Sequence, residues 1–153
     1  MKHSALLLLG FLLFFSASSH AADGLIQLQS PHSVKETTAR FVDVAESKGL
    51  TIFAQVDHAA GASTAELELR PTTVVIFGNP KSGTPFMQCA QTVGIDLPMK
   101  TLIWRDGNGQ VWLAYNDPAY IAARHDVKDC PAVAPIDKAL ARIANAAVEP
   151  EAD

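Results

Sequence analysis

Residues 101–115 read TLIWRDGNGQVWLAY, and this stretch decides the fold. Asp106-Gly107-Asn108-Gly109 is a turn sequence between two runs rich in β-branched, aromatic and aliphatic residues, which predicts a β-hairpin. With a two-residue or a four-residue loop, the core face of the hairpin carries Leu102, Trp104, Val111, Leu113 and Tyr115. Ile103 and Trp112 then lie on the opposite face. The hairpin therefore predicts an antiparallel sheet whose two tryptophans point in opposite directions.

Three more strands and several helices are predicted around this hairpin. Residues 25–29, 50–56 and 72–78 have strand character, and the last run is apolar on both faces, as expected of an interior strand. Apolar residues at helical spacing predict a long helix over residues 34–48 and another over about 136–147. Shorter helices are expected over 57–64, 84–93 and 117–125. The predicted fold class is α+β, a two-layer sandwich with a mostly antiparallel five-stranded sheet and helices packed mainly on one face.

The N-terminus has the pattern of a secretory signal peptide. Lys2 precedes an apolar run over residues 6–15, and Ser19-His20-Ala21 fits the small-x-small rule for cleavage after Ala21. The run is shorter than the roughly 20 residues that a membrane span needs, although an uncleaved anchor is the alternative. Residues 1–21 are therefore predicted to be a signal peptide, 22–148 a single domain and 149–153 a polar tail. The expected location is periplasmic or secreted, with no stable membrane insertion after the signal is removed.

The charge of the mature chain argues against one class of partner. The full chain has 12 Lys and Arg against 16 Asp and Glu, a net charge of −4. Lys2 is the only charged residue of the predicted leader, so 11 bases remain against 16 acids, a net charge of −5. A nucleic-acid-binding surface needs a basic face, so no nucleic-acid partner is expected.

The segment after the interior strand is the main candidate for a binding site. Gly78, Ser82 and Gly83 permit tight turns, Thr84 is a good cap for a helix beginning at Pro85, and Asn79 and Lys81 add polar and positive groups. Backbone amides, a helix N-terminus and a lysine together favour an anion. No lysine directly follows Gly83, so the segment is not a phosphate-binding P-loop. The alternative is an ordinary strand-to-helix turn.

His58 is the second candidate, because Asp57 beside it could orient or charge the imidazole. Its alternative is an exposed or structural histidine. His125 beside Asp126 sits where a helix ends and where a cation suits the helix dipole. No metal-binding spacing occurs, so no metal is assigned; a haem or metal site from His58, His125, Met87 or Cys89 would require the fold to gather them. No cofactor is identified.

Cys89 and Cys130 are the two cysteines of the chain. Export to an oxidising compartment would allow them to form one disulfide, and the alternative is two separate thiols with Cys89 buried as a small hydrophobe.

Four segments in order carry a resemblance to a known family. They are residues 57–62 (DHAAGA), 77–87 (FGNPKSGTPFM), 96–100 (DLPMK) and 115–118 (YNDP). Together they resemble the family of domain of unknown function 302, over about residues 25–147. The resemblance implies a compact α+β fold that is often dimeric, and it implies no activity. Family members usually carry a small residue at the position of Cys89, which favours a disulfide particular to this chain. The resemblance also favours a shared site at His58, Asn79, Lys81 and Thr84.

Three functions follow as hypotheses. The first is a domain that binds a small anionic ligand or a cofactor at residues 78–84, with His58 facing it. The second is an enzyme that uses His58 as general base and Lys81 as electrostatic support. The third is a structural homodimer without catalysis, joined through the sheet face that carries Trp112, because aromatic residues concentrate in cores and interfaces.

The signal peptide gives a direct test. N-terminal sequencing of the exported protein should begin at Ala22 or Asp23, because cleavage follows the small residue Ala21. Soluble protein that retains Met1 would contradict the prediction.

Overall fold

A computed structural model describes residues 24–150, so the predicted leader over residues 1–21 and the last three residues lie outside the described part of the chain. One sheet contains five strands: β1 (Leu25–Ser30), β2 (Thr51–Asp57), β3 (Thr72–Gly78), β4 (Met99–Arg105) and β5 (Val111–Asn116). Their order across the sheet is β1-β5-β4-β3-β2, and all four neighbouring pairs are antiparallel. The predicted α+β class with a five-stranded antiparallel sheet is confirmed.

The described residues contain five α-helices and one short 3-10 helix. The α-helices are α1 (Val34–Ser47), α2 (His58–Thr64), α3 (Pro80–Cys89), α4 (Pro118–Arg124) and α5 (Val133–Val148), and the 3-10 helix is Gln91–Ile95. At the start of α1 the Ser33 hydroxyl accepts a hydrogen bond from the Glu36 amide at 3.2 Å, as the capping sequence predicts. None of these helices is long and apolar enough to cross a bilayer.

The hydrophobic core lies on one face of the sheet. Strand residues Val75, Phe77, Ile103, Leu113 and Tyr115 meet helix residues Phe41, Phe86, Ile121, Leu140 and Ile143 in one buried cluster. The rings of Phe41 and Phe77 pack edge to face with their centroids 5.0 Å apart. The main helices are therefore gathered on this face, which we call the inner face; the opposite one is the outer face.

The hairpin differs from its prediction by one residue. Arg105 and Val111 form the last pair of the β4–β5 ladder, so five residues, not two or four, lie in the loop. An odd loop length inverts the faces of one strand relative to the other. Ile103, not Leu102 or Trp104, therefore faces the core with Leu113.

The two tryptophans consequently lie together on the outer face. Trp104 and Trp112 are paired across the strands, with ring centroids 6.5 Å apart and 23° between the ring planes. The expectation that they point in opposite directions is wrong.

The end of α5 is bound to α1 and to the loop before it. Arg40 donates hydrogen bonds to the carbonyl oxygens of Ala147 at 3.0 Å and Glu149 at 2.9 Å, and His32 contacts the same Glu149 oxygen at 2.8 Å. Because a helix leaves its last carbonyls without intrahelical partners, these side chains complete the C-terminus of α5. Glu149, the first residue of the predicted polar tail, is exposed, but its carbonyl oxygen is held by these hydrogen bonds.

Cys89 and Cys130 form a disulfide, with their Cα atoms 6.0 Å apart. The bond joins the end of α3 to the segment that precedes α5. It spans 41 residues of sequence, so restricting the unfolded chain stabilises the fold by about 4 kcal/mol on the chain-entropy model.

Thr101 lies in β4 with no exposed surface, and its hydroxyl has no hydrogen-bond partner among the described residues. It sits between Val75 and Tyr115 in the ladder, within the apolar core. Burying a hydroxyl without a partner costs free energy that valine, with the same shape, would not.

Replacing Thr101 with valine should therefore raise the free energy of unfolding by about 1 kcal/mol. Thr37 provides a matched control, because it is equally buried but its hydroxyl bonds to Ser30 at 2.7 Å and to the Ser33 carbonyl at 2.9 Å. Thr37→Val should lower the same free energy, by about 1–3 kcal/mol. Urea titrations measure both changes, and equal losses would contradict the assignment.

Candidate functional site

A cavity of about 310 Å³ opens on the inner face, between α5, α3 and the ends of β2 and β4. Its walls are mainly apolar: Phe53, Phe77, Leu97, Met99, Leu140 and Ile143 all line it. Its volume is at the lower end of the range for small-molecule sites in proteins. The cavity is therefore the main candidate for a ligand-binding site.

An irregularity in β2 supplies one wall of the cavity. The β2–β3 register shifts between Ile52 and Ala54, which leaves Phe53 without a partner in the ladder. A bulge residue turns its side chain out of the strict alternation, and Phe53 reaches the cavity with 54% of its surface exposed. A side chain at Gly78 would contact the Phe53 ring, since its Cβ would lie 3.4 Å away. The glycine thus keeps this end of the cavity open.

Helix α3 begins five residues earlier than the sequence predicted. Asn79, not Thr84, is the N-cap, and its Oδ1 accepts a hydrogen bond from the Lys81 amide at 2.8 Å. Pro80 is the first helical residue and Pro85 lies inside the helix. Residues 80–84, expected to form a loop, are the first turn of α3.

This early start leaves no group of free amides for an anion. Pro80 has no amide hydrogen, the Lys81 amide is bound by the cap, and the Ser82 and Gly83 amides donate to the Asn79 carbonyl at 3.0 and 2.9 Å. The Asn79 side-chain amide donates to the Gly49 carbonyl at 2.9 Å. The proposed anion-binding loop is therefore an internally satisfied helix N-terminus.

Five of the seven residues selected from sequence nevertheless line the cavity: Gly78, Asn79, Ser82, Gly83 and Thr84. Lys81 is exposed and is not part of the lining. The remaining candidate, His58, is exposed at the start of α2.

The structure separates His58 from this segment. His58 follows Asp57, which pairs with Thr73, whereas Asn79 follows Gly78 at the other end of β3. Five residues at about 3.4 Å each place the two ends about 17 Å apart. A joint site for His58 and Lys81, as the enzyme hypothesis requires, is not formed. Asp57 caps α2 by accepting a hydrogen bond from the Ala60 amide at 2.9 Å.

A polar cluster that was not predicted from the sequence lies beside the 3-10 helix. The imidazole of His125 is hydrogen-bonded to the Asp96 carboxylate at 2.7 Å and to the Thr92 hydroxyl at 2.9 Å. Arg124 donates to the other Asp96 oxygen at 2.9 Å. The cluster ties the 3-10 helix to the end of α4. Between residues 24 and 150 no group of three His, Cys, Asp or Glu side chains is placed to hold a metal ion.

Curated relatives match part of the chain. A Brucella suis biovar 1 (strain 1330) protein named fluoride-specific ion channel FluC 1 is 51% identical over 104 residues, which cover 68% of this chain and 41% of that protein. The Brucella abortus biovar 1 (strain 9-941) protein of the same name is also 51% identical over 104 residues, covering 68% of this chain and 38% of its own length. This chain therefore spans about two fifths of these relatives, and their name describes the whole proteins.

Comparison with solved structures supports the fold. The crystal structure of an uncharacterized conserved protein DUF302 from Bacillus stearothermophilus superposes with a TM-score of 0.74, at 18% identity, over 82% of this chain and 99% of that one. At this identity the likeness shows the fold alone. The model of the family described as domain of unknown function DUF302 matches residues 26–147, nearly the whole described chain. The chain belongs to the DUF302 family, as the four sequence segments indicated.

Proposed function

We propose that this domain binds a small, mainly apolar molecule in the inner-face cavity. The observation that carries the proposal is an open cavity of about 310 Å³ with largely apolar walls, one of which is the half-exposed ring of Phe53. Apolar surface left in contact with water costs about 25 cal/mol per Å². A ligand that covered about 100 Å² of it would gain roughly 2.5 kcal/mol from this term alone.

The polar part of such a ligand would be modest. Asn79 uses its side chain to cap α3 and to bind Gly49, so Ser82 and Thr84 supply the hydroxyls in the lining. These hydroxyls can donate to or accept from a carbonyl or hydroxyl on the ligand, but they supply no positive charge to balance an anion. Lys81 lies outside the lining, so an anionic group on the ligand would interact with it only at the mouth. We therefore propose a neutral ligand, whereas the sequence favoured an anionic one.

The proposed setting of this site is the periplasm or the extracellular space. Support comes from the leader pattern of residues 1–21 and from the disulfide, since disulfides persist in oxidising compartments.

We also propose that the outer face joins two copies of the chain. Its apolar residues, which extend from the edge strand β2 to β5, are Val56, Val74, Ile76, Leu102, Trp104 and Trp112, none of which belongs to the buried core. Gln27 and Gln29 in the edge strand β1 and Lys100 at the start of β4 lie on the same face, so it combines apolar and polar residues as an interface does.

The size of the outer face fits a modest homodimer. Five strands about 4.8 Å apart, each of six or seven residues of about 3.4 Å, give a face of about 500 Å². Two copies would bury about 1,000 Å² in total, the lower limit for a specific interface. This second proposal is independent of the first because the cavity opens on the other side of the sheet.

Blocking the cavity tests the first proposal with a neutral fluorescent probe, N-phenyl-1-naphthylamine, on mature protein. Ala139 is an exposed residue of α5 that lines the cavity, whereas Ala134 is an exposed residue of α5 that does not. Ala139→Trp should weaken probe binding at least tenfold, or about 1.4 kcal/mol, because the indole fills the entrance. Ala134→Trp should bind as the wild type does. Equal affinities for all three proteins would refute the cavity as the site.

The charge of the preferred ligand is tested with a matched pair of probes. 1-Anilinonaphthalene-8-sulfonate resembles the neutral probe but carries a sulfonate. Lys81→Ala should leave the affinity for the neutral probe unchanged, since Lys81 is outside the lining. If the wild type instead prefers the sulfonate, and Lys81→Ala removes about 1–3 kcal/mol of that binding, the site takes an anion.

The dimer is tested by sedimentation velocity over a range of concentrations. Val56 is 40% exposed on the outer face, so Val56→Lys and Trp112→Lys should each give a soluble monomer by placing a charge among its apolar residues. Leu67 is 65% exposed but lies outside the sheet, and Leu67→Lys should remain dimeric. A wild-type protein that stays monomeric at high concentration excludes the dimer.

A further inference from the structure

We propose that the Cys89–Cys130 disulfide is a redox latch on the cavity, so that its reduction by a dithiol loosens the cavity walls and lowers affinity for the ligand. The inference rests on the proposed function, because it assigns regulation to the same site. It follows from where the disulfide lies relative to the two walls.

The disulfide joins one cavity wall to the other. Cys89 is the last residue of α3 and follows the wall residue Met87 by two positions. Cys130 precedes α5 and comes six positions before Ile136, the first wall residue of that helix. With the two Cα atoms held 6.0 Å apart, the end of α3 cannot move away from the start of α5.

The segment that the latch restrains also forms part of the cavity. Gly94 and Leu97, which follow Cys89 closely, line it. Val93 is fully buried and anchors the middle of the segment, whereas Ile95 is 73% exposed. When the disulfide is broken, side-chain hydrogen bonds still join this segment to the end of α4. They are formed within the cluster of Thr92, Asp96, Arg124 and His125. Reduction therefore leaves the segment held by the buried Val93, by the partial packing of Ala90 and Leu97 against the core, and by the polar cluster.

The two cysteines differ in exposure. Cys89 is exposed, whereas Cys130 is 7% exposed. A thiolate of the dithiol attacks the Cys89 sulfur, the S–S bond breaks, and Cys130 leaves as a thiolate that takes up a proton. The second thiol of the reductant then attacks the mixed disulfide, releasing reduced Cys89 and the oxidised cyclic reductant. The reductant loses two electrons and the protein gains them.

The central fold has supports other than the latch. The sheet is held by its four ladders, and α1 and α5 pack on it through buried residues such as Phe41 and Leu140. Arg40 holds the far end of α5 to α1. Reduction is thus expected to act locally, on the end of α3, the 3-10 helix and the start of α5.

The test combines two readouts on the mature protein, before and after dithiothreitol. Affinity for N-phenyl-1-naphthylamine should fall about tenfold on reduction. Hydrogen exchange should become faster for the amides of residues 91–97 and of the first turn of α5, but not for the β4–β5 ladder. The double variant C89S/C130S should resemble the reduced protein and should not respond to dithiothreitol. Asp96→Asn, which keeps the disulfide, should retain the response.

The outcomes separate the latch from the cavity proposal. If the oxidised protein does not bind the probe, the proposed function fails, and hydrogen exchange still decides whether the disulfide restrains the segment. If neither affinity nor exchange changes on reduction, the latch is wrong. If reduction instead unfolds the whole domain, with loss of its far-ultraviolet circular dichroism, the disulfide is a global support and the latch is also wrong.

Discussion

The Asp106 carboxylate accepts three hydrogen bonds at the turn between β4 and β5. They come from the Asn108 and Gln110 amides, both at 2.9 Å, and from the Trp112 indole nitrogen at 3.0 Å. The indole hydrogen bond is the largest of the effects that lower the pKa of Asp106 below its ordinary value. These bonds fix a five-residue loop, and the loop fixes which side chains of the two central strands face the helices. Both the buried core and the outer face follow from that register.

The sequence predicted the elements better than it predicted their ends. Alternation, caps and turn residues were sufficient for five strands and for the helices over residues 34–48 and 117–125. The start of α3 was ambiguous, because Asn79-Pro80 and Thr84-Pro85 are both good cap and first-turn pairs. In the structure the Asn79 cap also makes a contact that is distant in sequence, the hydrogen bond to the Gly49 carbonyl, which spacing alone does not reveal. The hairpin register was ambiguous in the same way, since the Asp106 bonds to the turn could not be anticipated from spacing.

The candidate site shows which inferences a linear sequence permits. The separation of His58 from Lys81 follows from the antiparallel pairing of β2 with β3. His58 follows the end of β2 and Lys81 follows the end of β3, and antiparallel neighbours end on opposite sides of the sheet along the strand direction. The cavity is different, because Leu140 and Ile143 reach it from a helix more than 50 residues later in the chain. Phe53 could have been recognised by one local signal in the sequence. It is an apolar residue next to Ile52, and it breaks the strand alternation where the bulge occurs.

A single sheet with its main helices on one side has two apolar surfaces of different shape, and each is partly exposed to water. On the inner face, α5, α3 and the sheet leave a gap of about 310 Å³, which suits a small molecule. The outer face is a broad surface with a pair of nearly parallel indole rings, which a second protein surface can cover more completely than a small molecule can. The disulfide acts on the gap and not on the outer face, because its two ends lie in helical and loop segments rather than in strands. A change at the cavity wall can therefore occur while the sheet, and any partner on its outer face, stays in place.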